Sequence, residues 1–291
     1  MPSAREINRR IKSVTNTQQI TKAMKMVSSV RLRRAQDRAL ATAPFTDKIE
    51  AMLRRLAAAA SGEAGPLFEQ REVKRTCYIV VGADKGLAGA FSSNINKAMA
   101  AIVAEKGRDA VTFLVTGRKP VEYLKRLRIT PAGKWSGFSD KPQYHHAQTV
   151  MHEAVKRFMD GEVDEVCVLY TKFRSALVQD VTVSKLLPID ADLNEEEGVN
   201  EEEGVKEEYL FAPDSNQVLT SLVPTYLEAF VYNSLLQSAA SELGARMTAM
   251  TSATDNAGEL IDRLTVHYNK VRQAGITNEL TEIVSGANAL Q

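Results

Sequence analysis

Three groups of residues in this 291-residue chain have the types and spacing that chemistry uses. The first is the glycine-rich stretch Val81-Gly82-Ala83-Asp84-Lys85-Gly86-Leu87-Ala88-Gly89-Ala90-Phe91, directly after the apolar run Cys77–Val80. A strand running into such a turn and then a helix can cradle a phosphate on backbone N–H groups. The spacing argues against that use. No Lys-Ser or Lys-Thr pair follows the second glycine, as a P-loop requires, and Gly82, Gly86 and Gly89 stand 4 and 3 apart. The dinucleotide fingerprint instead separates its first two glycines by a single residue, with a ribose-holding acid about 20 residues on. Here that acid is Glu105 at best, inside a predicted helix. The simpler reading is a tight strand-to-helix turn whose glycines permit positive φ.

The second group is His145, His146 and His152, of which His145 and His152 would share a helical face. A structural zinc needs about four ligands, and only Glu153 among the acids lies near enough in sequence to help. These read as solvated helix residues, and no metal is expected. The third group is the basic run Arg31, Arg33, Arg34 and Arg38, which lacks interleaved aromatics for base stacking, so nucleic acid is a secondary reading. No nucleophile–base–acid set is visible. No catalytic residue and no cofactor is assigned.

The elements that must position these groups differ along the chain. A net charge of +1 hides a strong asymmetry. Between Met1 and Arg38 ten Lys or Arg face two acids, Glu6 and Asp37, a net +8; between Asp190 and Glu208 ten acids face only Lys206, a net −9. A basic arm suits nucleic acid, an anionic membrane surface or an acidic protein partner. No apolar run is long enough to span a bilayer. Cys77 and Cys167 lie ninety positions apart in separate apolar segments, as buried thiols in a reducing compartment do.

Residues 1 to about 57 read as helix. Ile7, Ile11 and Val14 recur at 4 and 3, as do Ile20, Met24 and Val27, with a six-residue step between Val14 and Ile20 that breaks strict heptad phase. Pro44 is expected to kink or restart this helix. At the other end Leu236, Ala240, Leu243, Met247, Met250, Thr254, Ala257, Ile261, Leu264, Tyr268, Val271 and Gly275 keep steps of 4 and 3 throughout. That is a coiled-coil seam. With Ser221 as cap and Pro224 in the first turn, the helix from Pro224 to Val284 would be about 90 Å long. Only the amino-terminal helix is long enough to fill that seam, which predicts an antiparallel pair joined through a globular insert. The insert alternates strands at Thr76–Val81, Val111–Thr116, Glu165–Tyr170 and Leu177–Leu186 with helices at Ser93–Glu105, Pro120–Leu127 and Tyr144–Met159, an α/β pattern with a mostly parallel sheet. Beyond it Asn194-Glu-Glu-Glu-Gly-Val199 repeats directly as Asn200 to Val205 and reads as a surface loop.

At the level of motifs the chain resembles the gamma subunit family of the F-type, rotary, proton-driven ATP synthases. The likeness rests on Arg5-Glu6-Ile7, Ile11 and Val14, and on Asn16-Thr17-Gln18-Gln19-Ile20-Thr21-Lys22-Ala23-Met24-Lys25-Met26-Val27. It continues in Arg246-Met247-Thr248-Ala249-Met250, Ala253-Thr254-Asp255-Asn256-Ala257, Tyr268-Asn269-Lys270 and Arg272-Gln273-Ala274. It is strongest in Ile276-Thr277-Asn278-Glu279-Leu280-Thr281-Glu282-Ile283-Val284-Ser285-Gly286-Ala287, and it includes the loop Asp84-Lys85-Gly86-Leu87-Ala88-Gly89. The fold expected is α/β plus a long coiled coil: an antiparallel two-helix coil from both termini with an inserted Rossmann-like α/β domain. Residues 1–60 and 212–291 would form the coil, and residues 70–210 the domain, with an acidic loop at 190–208.

The resemblance implies a central rotor shaft, not an enzyme. Its partners would be a ring of alpha and beta subunits, the epsilon subunit and the membrane c-ring, with no nucleic acid and no direct membrane insertion. Met24 would sit where the shaft meets the beta subunits. Arg246, Gln273, Thr277 and Glu279 would make polar contacts to the ring, while Ile276, Leu280, Ile283, Val284 and Ala287 would turn in an apolar collar. Arg9, Arg10, Arg31, Arg33 and Arg34 are expected to meet acidic loops of the ring, or else to form a solvated helix face. The match begins at Ala4 and leaves no room for a transit peptide, which implies a bacterial-type subunit, peripheral on the cytoplasmic face of the plasma membrane. The chloroplast relatives' paired-cysteine insertion is missing, and the repeat at 194–205 receives no function. The rival readings are a nucleotide-binding α/β protein with coiled-coil extensions and a basic adaptor for nucleic acid.

Overall fold

The computed structural model describes residues 3–59, 66–189 and 215–288. The acidic loop at 190–208 and its repeat therefore lie outside the described residues. The chain forms two compact units, residues 31–245 and residues 1–30 with 246–291. Two long helices, α1 (Ala4–Ala59) and α5 (Ser215–Asn288), contribute to both.

The larger unit is built on a five-stranded sheet. Its strands are β1 (Thr76–Val81), β2 (Val111–Thr116), β3 (Gly133–Trp135), β4 (Glu165–Phe173) and β5 (Gln179–Leu187), in the order β3-β2-β1-β4-β5. The first four run parallel, and β5 returns antiparallel on β4. β1 is buried along its whole length, as its unbroken apolar run Cys77–Val81 demands of a strand covered on both faces. One face packs Cys77, Ile79, Val166 and Val168 against α4 (Tyr144–Met159), against Ile49 and Leu53 of α1, and against Leu227, Val231 and Leu235 of α5. The other packs Tyr78, Val80, Phe113 and Leu169 against α2 (Phe91–Lys106) and Leu124 of α3 (Arg118–Arg126).

The long helices and the edge of the sheet depart from the sequence reading. β3 is too short to show a period; Gly133 belongs there because a Cβ would strike Leu114 and Trp135. α5 begins at Ser215, six residues before Ser221, so Pro224 lies inside the helix. α1 is continuous through Pro44. Pro44 removes the hydrogen bond to the carbonyl of Leu40, and Leu40 is 72% exposed, so water can serve that carbonyl.

In the smaller unit the two helices run antiparallel. Gln18 Nε2 donates to the carbonyl of Thr254, Thr254 Oγ1 donates to Thr21 Oγ1 at 2.8 Å, and Gly258 lies beside Gln18. Up to Ser28 the less exposed residues of α1 are Ala4, Ile7, Ile11, Val14, Thr15, Gln18, Thr21, Met24, Lys25 and Ser28, and leaving out Thr15 and Met24 at its margin they alternate steps of 3 and 4. The expected phase break does not occur. Polar residues carry the seam through, and the apolar Ile20 and Val27 that suggested a shift are 61% and 52% exposed on another face. On α5 the facing residues Met250, Thr254, Ala257, Ile261, Leu264, Tyr268 and Val271 keep the predicted seam. Beyond Val271 every residue to Ser285 is exposed.

Candidate functional site

A nucleotide in an open α/β sheet binds beyond the carboxyl ends of the strands, where the strand order reverses. In this sheet that place lies beside β1, at the glycine-rich loop, and it is closed. A Cβ on Gly82 would strike the ring of Pro120, and one on Gly117 would strike the backbone of Gly82, so the loops after β1 and β2 lie backbone to backbone. Of the loop glycines only Gly89 has positive φ, at 53°; Gly86 is exposed, with open space where a Cβ would stand, and Leu87 takes the left-handed turn instead. The remaining cavity, roofed by Leu235, Ser238, Ala239 and Glu242 of α5, measures about 10 Å³. A nucleotide pocket holds hundreds.

Backbone N–H groups at the mouth of the sheet already have an anion. The buried carboxylate of Asp84 accepts from Gly137 N at 2.7 Å, Ser139 N at 3.1 Å and Arg118 N at 3.2 Å. An internal anion thus ties together the loops after β1, β2 and β3. Next to it Asp140 pairs with Lys85 at 3.1 Å and Arg31 at 2.7 Å. Burial opposes ionisation of Asp140, yet the Lys85 hydrogen bond and the charges of Lys85 and Arg31 hold its carboxyl below the ordinary value.

His145 and His152 are exposed, as expected, whereas His146 serves structure. His146 stacks on Phe138 with ring centroids 4.0 Å apart, and its Nδ1 accepts the backbone N–H of Gln143 at 3.0 Å, capping α4. It is not the solvated residue its surroundings in the sequence suggest. Burial and the neighbouring His145 push its imidazole below the ordinary value. Among the described residues no three His, Cys, Asp or Glu side chains converge as a metal site would require.

The helical unit offers surface in place of a pocket. Gln18, Gln19, Lys22, Lys25, Met26, Ser29, Thr254 and Asp255 line an open groove of about 620 Å³ that is polar and basic on its α1 side. At the far end of α5, Ile276, Leu280, Ile283 and Val284 are all exposed, Ile283 by 68%. Among the described residues, no helix is long and apolar enough to cross a membrane.

Residues 3–290 match the family model described as ATP synthase. A gamma chain of ATP synthase from Desulfitobacterium hafniense is 41% identical over all of both chains. Those from Desulforamulus reducens and Heliobacterium modesticaldum are each 42% identical over the same full span. The chain belongs to the ATP synthase gamma family. Its fold is similar to a chain of the Euglena gracilis mitochondrial ATP synthase, in an assembly of OSCP, F1 and c-ring, with TM-score 0.69 and 16% identity over 99% of this chain and 94% of that one. A chain from the central stalk and c-ring of the Tetrahymena thermophila enzyme gives TM-score 0.62 at 23% identity, over 80% of this chain and 99% of that one.

In this gamma-family chain the residues singled out by resemblance fall into separate levels. Met24 is half-buried on α1 beside Lys25 of the groove, and Arg246 is buried. Gln273, Thr277, Glu279, Ile283 and Val284 are exposed, about 40 to 57 Å along α5 from Arg246 at the usual helical rise. Arg9, Arg10, Arg33 and Arg34 are exposed, while Arg31 is spoken for by Asp140. Sequence reasoning missed Gln18, Gln19, Lys22, Lys25 and Asp255 as groove residues. Following the 4-and-3 alternation through polar residues would have found Gln18 and Lys25.

Proposed function

We infer that this chain is the rotating central shaft of an ATP synthase, a subunit with no active site of its own. It passes rotation between the c-ring and the ring of alpha and beta subunits, and so couples proton flow to ATP synthesis or hydrolysis. The observation that carries this reading is the bare apolar end of α5, where Ile276, Leu280, Ile283 and Val284 lie outside any core. Such a surface in a soluble chain marks a partner. Non-directional apolar contacts suit a partner that must slip past it, because no bond has to break and re-form at each angle. The polar and basic face around Met24, Lys22 and Lys25 would meet the beta subunits, whose sites then see a different side of the shaft in turn, shifting each between open and closed states. Gln273, Thr277 and Glu279 would supply polar contacts at the collar, with Arg246 at the lower level. Arg9, Arg10, Arg33 and Arg34 would assist register through charge complementarity. The chain would stand at the cytoplasmic face of a bacterial plasma membrane. One charge crossing 100 mV supplies about 2.3 kcal/mol, so the shaft must sum several protons for each ATP.

The test is assembly and coupling. The chain should co-purify with alpha and beta subunits together with ATPase activity, and vesicles carrying the complex should pump protons on ATP hydrolysis. Met24→Lys should lower protons pumped per ATP several-fold while leaving the chain folded. Purification away from alpha and beta subunits, with no ATPase activity, would overturn the reading.

A further inference from the structure

Where β1 ends, α5 takes over its role. The β1–β4 ladder stops at the pair Val80 and Leu169, while β4 runs on to Phe173 with β5 on its other edge. On the edge that β1 leaves, Thr171 N donates to Ser238 Oγ at 3.0 Å, Thr171 O accepts from Ser241 Oγ at 3.1 Å, and Phe173 N donates to Gln237 Oε1 at 3.1 Å. Thr171, Ser238 and Ser241 are all buried. One helical turn on, Gly244 lets the hairpin tip approach, since a Cβ there would stand 3.2 Å from the Phe173 ring and 3.4 Å from Ala176 Cα. Residues 237, 238, 241 and 244 share one face of α5, so side chains of a helix complete the backbone pairing of a strand.

We propose that Gln237, Ser238, Ser241 and Gly244 are a register clamp that fixes both the axial and the rotational position of α5 on the α/β body, and so the point where torque enters the shaft helix. This rests on the shaft reading. The apolar contacts of Leu227, Val231 and Leu235 hold α5 down but are non-directional. The hydrogen bonds are directional. Sliding α5 by one residue moves it about 1.5 Å and turns it about 100°, which takes both serines off both partners. The same helix continues past Ala245 into the helical unit, so a slip at the clamp would lose rotation before it reached the rest of α5. These are positioning residues; they touch no substrate.

The experiment uses the assembled ATP synthase in sealed vesicles. Four changes are compared with the parent: the double variant Ser238→Ala with Ser241→Ala, Gln237→Leu, Gln237→Glu, and the core control Val231→Ala. The readouts are the proton gradient sustained per ATP hydrolysed and the hydrogen exchange of the Thr171 and Phe173 amides. The double variant should speed Thr171 exchange about tenfold, the equivalent of one hydrogen bond, and should reduce the gradient per ATP at least twofold. Gln237→Leu should act in the same direction at Phe173, and Gln237→Glu, which keeps the acceptor oxygen, should restore both readouts. Val231→Ala should lower the melting temperature and leave the gradient per ATP at the parent value. An accelerated Thr171 amide with an unchanged gradient overturns the clamp and leaves the shaft reading standing. So does unchanged exchange in both clamp variants. A parent complex that hydrolyses ATP without pumping overturns the shaft reading and the clamp with it.

Discussion

The two units of this chain bury their apolar residues by different means. In residues 31–245 both faces of the sheet are covered from within, and Phe113, Phe158, Leu114 and Leu169 are shut away almost completely. In residues 1–30 with 246–291 two helices share one narrow seam, part of it polar, and Ile20, Val27, Leu280 and Ile283 remain outside it. A sheet has two faces on which to recruit helices, whereas a pair of helices can hide only one stripe each. The α/β unit builds a two-sided core of its own, with Leu40, Leu87 and Leu177 left outside it. The helical unit exposes the surface from which its role must come.

That contrast can be broken at several points. The largest effect should come from Phe158→Ala, which empties a fully buried site beneath β1 and should cost about 3–5 kcal/mol in urea or thermal unfolding of the chain. Asp84→Ala should follow at about 2–3 kcal/mol, because it leaves three backbone N–H groups at the sheet mouth without their acceptor; unfolding midpoints check it. Leu280→Ser together with Ile283→Ser should change the stability of the isolated chain by less than about 0.5 kcal/mol and yet reduce recovery of the assembled complex. A large loss of stability in the isolated chain would mean that this end packs within the chain, and the contrast would fail. The smallest effect concerns pH. Burial holds His146 below its ordinary value, so its contribution is complete above the free-imidazole range and is lost as pH falls from there through its lowered value in the fold. His146→Gln should flatten the pH dependence of the melting temperature on that acidic side.

How much of this was legible depended on whether a feature was periodic. The buried run of β1, the limits Tyr144–Met159 of α4 and the seam from Met250 to Val271 all follow from spacing, because one repeated contact shaped each. The polar seam at Gln18, Thr21 and Ser28 has the same period but was hidden, since apolar character was the signal being followed. Proline misled in both long helices: Pro44 and Pro224 lie inside continuous helix, each on an exposed face. The three residues of β3 and the reversed direction of β5 leave no local trace, being set by the neighbouring strand. The closed loop escaped in part as well. Its spacing excluded known phosphate motifs, but the need for glycine at position 82 arises from Pro120, distant in sequence. Serines bonded to a distant backbone, as Ser238 and Ser241 are, carry no period at all. The candidate contact residues on the shaft were legible only through resemblance to a family.

Asp84 gives the mouth of the sheet an anion of its own. A joint closed by the chain's own carboxylate needs no bound ion to hold the three loops together.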